Sequence, residues 1–288
     1  MPLLGMSDGT NCALEGSSAM QTVARIIPDP ATQVLRVLTY NVHSCRGTDR
    51  RHDPARIADV IAGCAPDVIA LQELDVGRAR TGGIDQANVI AEHLKMQAHF
   101  HPALHVEEEK YGDAILTALP SRLIRAAALP SIGEPRGAIW IEINLAGEVL
   151  QVINTHFGLR RRERVEQAAA LLGPDWLGNL QCRDHPTLLV GDLNAIPSSP
   201  AYRLLAQRLR AAQPAGTRRI KPTFPTRFPF LRLDHVFANI KLQVTDLAVI
   251  DNPLARRASD HLPLLATVEI RSAALAAIET LNIFESIE

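Results

Sequence analysis

The stretch TLLVGDLNAIPSSP, residues 187–200, joins an apolar run to a polar turn. Its first four residues predict a short buried strand that ends at Gly191. Asp192 and Asn194 follow one residue apart, before a Ser-Pro segment that opens a short helix near 199–207. Burying a carboxylate without a partner costs free energy, so the end of a buried strand is a poor place for one. The stretch therefore predicts that something binds at this strand end.

The segments on either side predict an α/β protein with more strands than helices. Because the strands do not alternate strictly with helices, a doubly wound parallel sheet is disfavoured, and two sheets packed face to face with helices outside fit better. Apolar patterning and turn residues predict strands at 33–42, 66–74, 112–120, 122–129, 137–145, after Gly147 as far as His156, and at 187–191, 233–238, 242–250 and 263–270. Helical spacing and caps predict helices from Asp53-Pro54 through Ile61, at 86–96, along 161–180 and near 199–207.

The chain is predicted to form one folded domain, residues 34–271. Residues 1–33 show no apolar periodicity and are predicted to be a disordered extension, and the Ala/Leu-rich residues 272–288 are predicted to be a helical tail. Hydrophobic residues make up 47% and charged residues 21% of the 288 residues, which is typical of a soluble globular protein. We expect a monomer.

Charge, cysteine spacing and hydropathy narrow the class of protein. The formal net charge of −1 gives no overall attraction for nucleic acid or an anionic membrane, so any polyanion must be bound by a local patch. The four cysteines lack metal-binding spacing and are predicted to be free thiols in a reducing compartment. No apolar run approaches the roughly 18 residues of a membrane span, and the N-terminus lacks signal-peptide features. We expect a cytoplasmic protein without a transmembrane segment.

Polar side chains recur at the strand ends or in the turns that follow them. One Asn, Asp or His in such a place is usually a turn former, but strand ends that border one crevice bring their side chains to one point. Hard oxygen donors favour Mg²⁺ or Mn²⁺ over zinc, and carboxylates with histidines and arginines suit hydrolysis at phosphorus. No HExxH, GxSxG or glycine-rich phosphate loop competes with this interpretation. The residues are Asn41, Glu73, His156, Asp192, Asn194, Asp234, Asp260 and His261.

Seven short segments carry a resemblance: TYNV, DVIALQEL, GDAIL, NTHFG, GDLNAIPSS, LDHVF and SDHLPL. They occur in the order found in the endonuclease/exonuclease/phosphatase superfamily, which includes DNase I, apurinic endonucleases, neutral sphingomyelinases and inositol polyphosphate 5-phosphatases. The resemblance runs from about residue 34 to 270. It implies a four-layer α/β/β/α sandwich of the DNase I-like type and a divalent-metal-dependent phosphoesterase.

The resemblance also implies roles for the acidic residues. Glu73 is similar to the principal metal ligand, with Asn41 beside it and Asp260 as a further acidic group near the metal. Asp192 is similar to the residue that orients or deprotonates the attacking water.

The remaining positions resemble the groups that contact phosphate. Asn194 is expected to hold the phosphate, and His156 resembles a second histidine that contacts it. His261 resembles the essential histidine of the family, with Asp234 as the carboxylate that fixes its tautomer.

Two positions depart from the pattern of the family. Asp113 stands in GDAIL where many members carry Asn or another residue, and it is expected at most to support His156. His43 follows Asn41 by two residues, where some nuclease members carry an acidic metal ligand. A second metal site at His43 is therefore doubtful.

Two basic stretches are candidates for substrate binding. RRRER, residues 160–164, opens a predicted helix, and Arg160 and Arg164 are expected to bind an anion there unless the stretch is only a solvated face. RRIKPTFPTRFPFLR, residues 218–232, runs directly into Asp234, so Arg227 and Arg232 are expected at the mouth of the site. Its aromatic residues suit stacked bases, a lipid surface or plain packing under the loop.

The substrate class remains open between two phosphoesterase alternatives. We expect hydrolysis of a phosphodiester of a small or lipid-linked substrate, because duplex DNA needs a broader basic surface than these patches supply. The alternative is a magnesium-dependent nuclease acting on DNA or RNA. A non-catalytic binding module of the same fold is disfavoured, because the catalytic set is intact.

Overall fold

This computed structural model describes residues 32–106, 108–145, 147–213, 215–216 and 220–271. The described strands are β1 (Thr32–Asn41), β2 (Val68–Val76), β3 (Gln97–Val106), β4 (Glu109–Thr117), β5 (Ser121–Leu129), β6 (Arg136–Leu145), β7 (Glu148–His156), β8 (Thr187–Asp192), β9 (Arg210–Ala211), β10 (Asp234–Ala238), β11 (Gln243–Val249) and β12 (Leu264–Arg271). The described α-helices are α1 (Pro54–Ala62), α2 (Gln86–Leu94), α3 (Arg161–Leu171), α4 (Leu180–Asp184), α5 (Pro200–Ala206) and α6 (Pro253–Ala258).

The strands form two mixed sheets. The first sheet has the order β11-β12-β1-β2-β4-β3, and the second has the order β5-β6-β7-β8-β10-β9. Only β1–β2 and β7–β8 pair in parallel among the described strands. Because β12 and β10 run antiparallel to β1 and β8, these two strands begin where β1 and β8 end. The ends of β1, β2, β7 and β8 and the starts of β10 and β12 therefore lie at corresponding edges of the two sheets.

Three apolar clusters show four layers. One cluster lies between the two sheets and includes Val37, Ile141 and Val190. A second packs α1, α2 and α6 on the outer face of the first sheet, and a third packs α3 and α5 on the outer face of the second. Each fully buried aliphatic side chain contributes about 1.5–3 kcal/mol to folding. The predicted α/β/β/α sandwich is confirmed.

Helix starts follow the predicted caps. Asp53 accepts a hydrogen bond from the backbone N–H of Arg56 at 3.0 Å, and Pro54 opens α1. Ser199 accepts from the N–H of Tyr202 at 3.3 Å, and Pro200 opens α5. In both cases a side-chain oxygen satisfies an N–H that has no partner inside the helix.

The predicted helix over 161–180 is correct as far as Leu171 and wrong beyond it. Helix α3 ends at Leu171, and the separate helix α4 begins at Leu180. Gly173 and Pro174 lie between them, and a proline disfavours helical backbone at the residue before it. The segments 97–106 and 253–258 were not assigned from the sequence, although they form β3 and α6. Strand β3 is an edge strand, where a proline such as Pro102 is tolerated.

The predicted domain boundaries stay a prediction. Strand β1 begins at Thr32, two residues before the predicted domain start at 34. Residues 1–31 and the predicted helical tail 272–288 lie outside the described residues. None of the described helices has the length and apolarity that a membrane-crossing helix requires.

Candidate active site

A cavity of about 820 Å³ opens at the sheet edge described above. Strand ends and loops of both sheets line it, so chemistry-bearing side chains from distant parts of the chain meet there. Of the residues predicted from the sequence, Glu73, His156, Arg164, Asp192, Asn194, Asp260 and His261 line this cavity. Asn41 and Asp234 lie beneath them, buried and hydrogen-bonded to members of this set.

A β-bulge places Glu73. The register of β2 against β4 shifts between Leu71 and Leu74, and Glu73 has a φ of 63° inside the shift. At the last regular pair before the shift, the buried Asn154 amide of β7 donates to Leu71 O and Ala114 O, both at 2.9 Å. The second sheet therefore braces the bulge of the first sheet, and the bulge turns Glu73 into the cavity.

Gly191 explains the end of β8. Its φ is 139°, and a Cβ atom at this position would lie 1.9 Å from the carbonyl oxygen of Thr155. Only glycine allows this close approach of β8 to β7. Asp192, fully buried, then accepts a hydrogen bond from the backbone N–H of Asn194 at 2.8 Å. The carboxylate predicted at the strand end is thus held by the turn that follows it.

Asn41 joins two carboxylates. Its Nδ2 donates to Glu73 Oε1 at 2.9 Å and to Asp192 Oδ2 at 3.0 Å. Its Oδ1 accepts from the backbone N–H of His43 at 3.0 Å. The amide therefore orients Glu73 and Asp192, and its oxygen keeps a second lone pair. The role of Asn41 as a metal ligand stays a prediction.

His261 and Asp234 form a buried pair. His261 Nδ1 donates to Asp234 Oδ2 at 2.9 Å, and His261 Nε2 lies 3.6 Å from Asp192 Oδ2. Burial by itself lowers the pKa of His261, but the Asp234 and Asp192 carboxylates raise it to about 10. Burial raises the pKa of Asp192 to about 6, and the charge of His261 counteracts this. His261 is therefore a cation at neutral pH that faces a carboxylate.

His156 is neutral and has a defined tautomer. Burial, Arg136 and the charge of His261 hold its pKa well below the usual range. Arg136 donates to His156 Nδ1 at 2.9 Å, so the proton of the ring lies on Nε2. This nitrogen lies 3.6 Å from Asp192 Oδ2 and 3.8 Å from Glu73 Oε1, which can accept its proton. Asn194 Nδ2, itself a donor, lies 3.0 Å from it and donates to Phe157 O at 2.9 Å. His156 can therefore donate a hydrogen bond at the centre of the site.

Asp113 is buried behind the bulge. Burial raises its pKa to about 8, against the opposing effects of Arg136 and of the backbone N–H of Glu73. Its carboxyl group therefore supports the backbone of Glu73. The expected support of His156 by Asp113 stays a prediction.

Glu73 and Asp192 offer the oxygen donors that a hard divalent cation prefers, and Asp260 is a further carboxylate that lines the same cavity. Asn41 holds Glu73 and Asp192 close together, and no Lys or Arg ion pair to either is found among the described residues. The nearby cation, His261, also pairs with Asp234, so the two converging carboxylates still leave negative charge that fits Mg²⁺ or Mn²⁺. Ligand atoms of Asp192, Asp234 and His261 also lie within 4.8 Å of one another. A protonated His261 has no free lone pair, so we interpret that trio as a hydrogen-bonded group.

Asp260 lies at the rim of the cavity. Its Oδ2 is 3.3 Å from His43 Nδ1, and both side chains are partly exposed. His43 therefore pairs with Asp260, whereas an acidic residue at position 43 would repel the Asp260 carboxylate.

Three of the four predicted substrate-binding arginines do not line the cavity. Arg232 donates to the Tyr202 hydroxyl at 2.9 Å and lies over its ring, which directs it to another part of the surface. Arg160 and Arg227 are exposed outside the cavity. Arg164 does line it, on the first turn of α3.

The start of α3 is closed to a free anion. The Glu163 carboxylate, 1% exposed, accepts hydrogen bonds from the backbone N–H groups of Ile132 at 3.0 Å and of Arg160 at 3.4 Å. An acidic side chain therefore lies beside the helix amides that the predicted anion site would use, and its charge disfavours a second anion there.

Several residues of the site were missed by sequence reasoning. Arg136, which orients His156, begins β6 and carries no local sequence signal. Arg46 and Arg50 line the cavity from the basic loop after β1, whose charge was visible in the sequence but whose direction was not. The Asn154 brace is part of NTHFG, yet only the sheet packing shows its contact with β2.

The chain is similar to known proteins over most of its length. The model of the endonuclease/exonuclease/phosphatase family matches residues 38–261. The uncharacterized protein YbhP of Escherichia coli strain K12 is 26% identical over 260 residues, covering 85% of this chain and 100% of YbhP.

Solved structures share the fold. The endonuclease/exonuclease/phosphatase from Beutenbergia cavernae DSM 12333 has a TM-score of 0.67 and 22% identity, covering 83% of this chain and 72% of that chain. The mannosyl-6-phosphatase Bt3783 of Bacteroides thetaiotaomicron VPI-5482 has a TM-score of 0.66 and 18% identity, covering 81% of this chain and 99% of that chain. Because the family model spans most of the described residues, the chain belongs to the endonuclease/exonuclease/phosphatase family.

Proposed function

We propose that this protein is a divalent-metal-dependent phosphoesterase that hydrolyses a phosphodiester of a small or lipid-linked substrate. Members of its family are hydrolases that act on phosphoesters and generally use divalent metals. The observation that carries the proposal is the position of Asp192, whose Oδ2 lies 3.6 Å from both His261 Nε2 and His156 Nε2 and accepts from Asn41. A base, a cation and a neutral donor thus meet at one point of the cavity.

The residues divide the chemistry among themselves. Asp192 accepts a proton from the attacking water at Oδ2, and its pKa of about 6 leaves it ionised at neutral pH. His261 donates from Nε2 to an oxygen of the phosphate, while Asp234 holds the ring through Nδ1. His156 and Asn194 donate to the remaining phosphate oxygens. These donors stabilise charge where it develops in the transition state.

Glu73, Asp192 and Asp260 would hold the metal ion, which supplies Lewis-acid neutralisation of the phosphate charge when bound. Asn41 holds Glu73 Oε1 and Asp192 Oδ2 of this set close together through its Nδ2. Arg164, half-buried and without an ion pair among the described contacts, is our choice for a further phosphate contact.

Exposed aromatic residues beside the site favour a lipid-linked ester. Phe228 is 80% exposed and Phe230 is 69% exposed, on the loop whose Phe224 and Leu231 line the cavity. Large apolar side chains in water serve no purpose in the packing of the monomer, and they lower the free energy of binding to a lipid surface.

Activity on a panel of substrates tests the proposal. We expect metal-dependent turnover of bis(4-nitrophenyl) phosphate and of phospholipid vesicles. Phe228→Ala with Phe230→Ala should reduce vesicle turnover about tenfold or more. Ile240→Ala, which removes an equally exposed apolar side chain at a different cavity, should not. Efficient cleavage of plasmid DNA with no activity on any phospholipid would favour the nuclease alternative.

A further inference from the structure

The loop after β1 carries cationic side chains that the proposed reaction does not use. Arg46 and His52 pair as a β-bridge, and the chain between them forms a tight turn. We call residues 46–52 the arginine hairpin. Arg46, Arg50 and His52 of this hairpin all line the catalytic cavity.

The arginine hairpin is rigid. The Asp49 carboxylate at its tip accepts hydrogen bonds from Arg56 Nη1 at 2.8 Å and from Arg257 Nε at 3.1 Å. Gly47 N–H donates to Arg51 O at 3.0 Å across the turn. The Asp49 carboxylate thus pairs with arginines of α1 and α6 and holds the hairpin against these helices.

Left-handed backbone leads into the arginine hairpin. His43, Ser44 and Cys45 have φ values of 48°, 52° and 55°, and Arg50 has 66°. Non-glycine residues in this region cost of the order of 1 kcal/mol each and persist where surrounding contacts impose them. Ser44 O accepts from Gln86 Nε2 at 2.7 Å and lies 2.9 Å from His52 Nδ1. Such strain concentrates at ligand clamps, and here it aims the hairpin at the cavity.

Arg46 and Arg50 are the uncompensated charges of this wall. The neighbouring Arg80 is paired with the buried Asp75 at 2.7 Å, and Arg78 with Glu109 at 3.4 Å. Within the part of the chain that the structure describes, neither Arg46 nor Arg50 has an ion pair, and both are exposed. Two free guanidinium groups on a rigid support suit bidentate binding of phosphate oxygens.

The geometry points to a second anion subsite, formed by Arg46 and Arg50, for a phosphate group other than the one that reacts. The reacting phosphate meets His156 and Asn194, which belong to the second sheet and its loops, whereas the arginine hairpin follows β1 of the first sheet. A cavity of about 820 Å³ has room for a small polar molecule between them. The substrate class is therefore a compact molecule with two phosphate groups, either soluble or as a lipid headgroup. This inference rests on the proposed function.

Binding measurements test the subsite without turnover. The probes are inositol bisphosphate and inositol monophosphate, titrated calorimetrically into the full chain with Ca²⁺ present to limit hydrolysis. We expect the wild type to prefer the bisphosphate at least tenfold, and Arg46→Gln with Arg50→Gln to reduce that ratio about tenfold to hundredfold. Arg51→Gln is the matched control, because Arg51 is exposed on the same hairpin and does not line the cavity.

Vesicles distinguish a lipid source from a soluble one. Binding to phosphatidylcholine vesicles that contain phosphatidylinositol phosphate is compared with binding to vesicles that contain phosphatidylinositol. Loss of the preference for the additional phosphate in the double variant, with either the vesicles or the soluble inositol phosphates, supports the subsite. A ratio unchanged in the double variant, or lowered equally by Arg51→Gln, would overturn it. Failure of the proposed function would give a different result: the wild type would not hydrolyse bis(4-nitrophenyl) phosphate with any divalent metal.

Discussion

Replacing Asp234 with Asn removes the charge that keeps His261 protonated. In the wild type, a pKa of about 10 corresponds at pH 7.5 to roughly 300 protonated rings for each neutral one. Asp234 supplies both the largest favourable charge and the hydrogen bond to Nδ1 at 2.9 Å. Losing an opposite charge at this distance lowers a pKa by about 1–3 units. Burial, which favours the neutral ring, is then opposed by the charges of Asp192 and Asp260.

The rate and the stability should both report this change. We expect kcat/KM on bis(4-nitrophenyl) phosphate to fall on the order of 10²–10⁴-fold, and the alkaline limb of the pH–rate profile to move down by about 1–3 units. The folded pKa of His261 is raised above the ordinary 6.5, so the stability it contributes is complete below pH 6.5 and is lost as the pH rises through 10. The variant should therefore lose most stability relative to the wild type in the acidic range.

The assay is a pH–rate profile together with NMR titration of the His261 ring and urea unfolding at several pH values. An unchanged alkaline limb would refute the assignment of His261 as the essential cation. A wild-type ring that is neutral at pH 7.5 would refute the electrostatic argument itself.

Three further outcomes follow from the site. Asn154→Ala removes the side-chain donor to Leu71 O and Ala114 O, so urea unfolding should show a loss of about 2–4 kcal/mol. Calorimetry should show a weaker affinity for Mg²⁺, and an unaltered metal affinity would refute the idea that Asn154 positions Glu73. Asp113→Asn in EDTA should flatten the fall in the free energy of unfolding between pH 4 and pH 8, a fall of up to about 5 kcal/mol. The folded pKa of Asp113 is raised to about 8, so its stabilisation is lost as the pH rises through that value, and parallel stability curves for wild type and variant would contradict this. Arg136→Gln should raise the pKa of His156 by removing one of the groups that lower it, and an NMR titration of that ring that matches the wild type would refute the contact.

The layer architecture and much of the site could be predicted because strand patterning and short polar segments are local. Gly191 and Asp192 illustrate this, since the end of a buried strand and its carboxylate are visible in six letters of sequence. The antiparallel strands are the instructive case. Asp234 was expected at a strand end but begins β10, and it still reaches the site because β10 runs antiparallel to β8.

What could not be predicted depends on packing between distant segments. Arg232 follows its loop away from the cavity because Tyr202 of α5 offers a hydroxyl and a ring face. Glu163 occupies the start of α3 because the turn before β6 brings the N–H of Ile132 to it. The bulge at Glu73 and its brace from Asn154 require the two sheets to be stacked, which no linear pattern encodes.

Metal-dependent hydrolysis is the most direct measurement of the central claim. Three proteins are compared: the wild type, Glu73→Gln and the control Glu92→Gln, which alters an exposed carboxylate on α2. Each is stripped of metal with EDTA and titrated with Mg²⁺ and Mn²⁺ while turnover of bis(4-nitrophenyl) phosphate is followed. The account predicts no activity after chelation, restoration by either ion in the wild type and in Glu92→Gln, and at least a tenfold higher metal requirement in Glu73→Gln. Full activity of the stripped protein, or a Glu73→Gln titration that overlays the wild type, would contradict it.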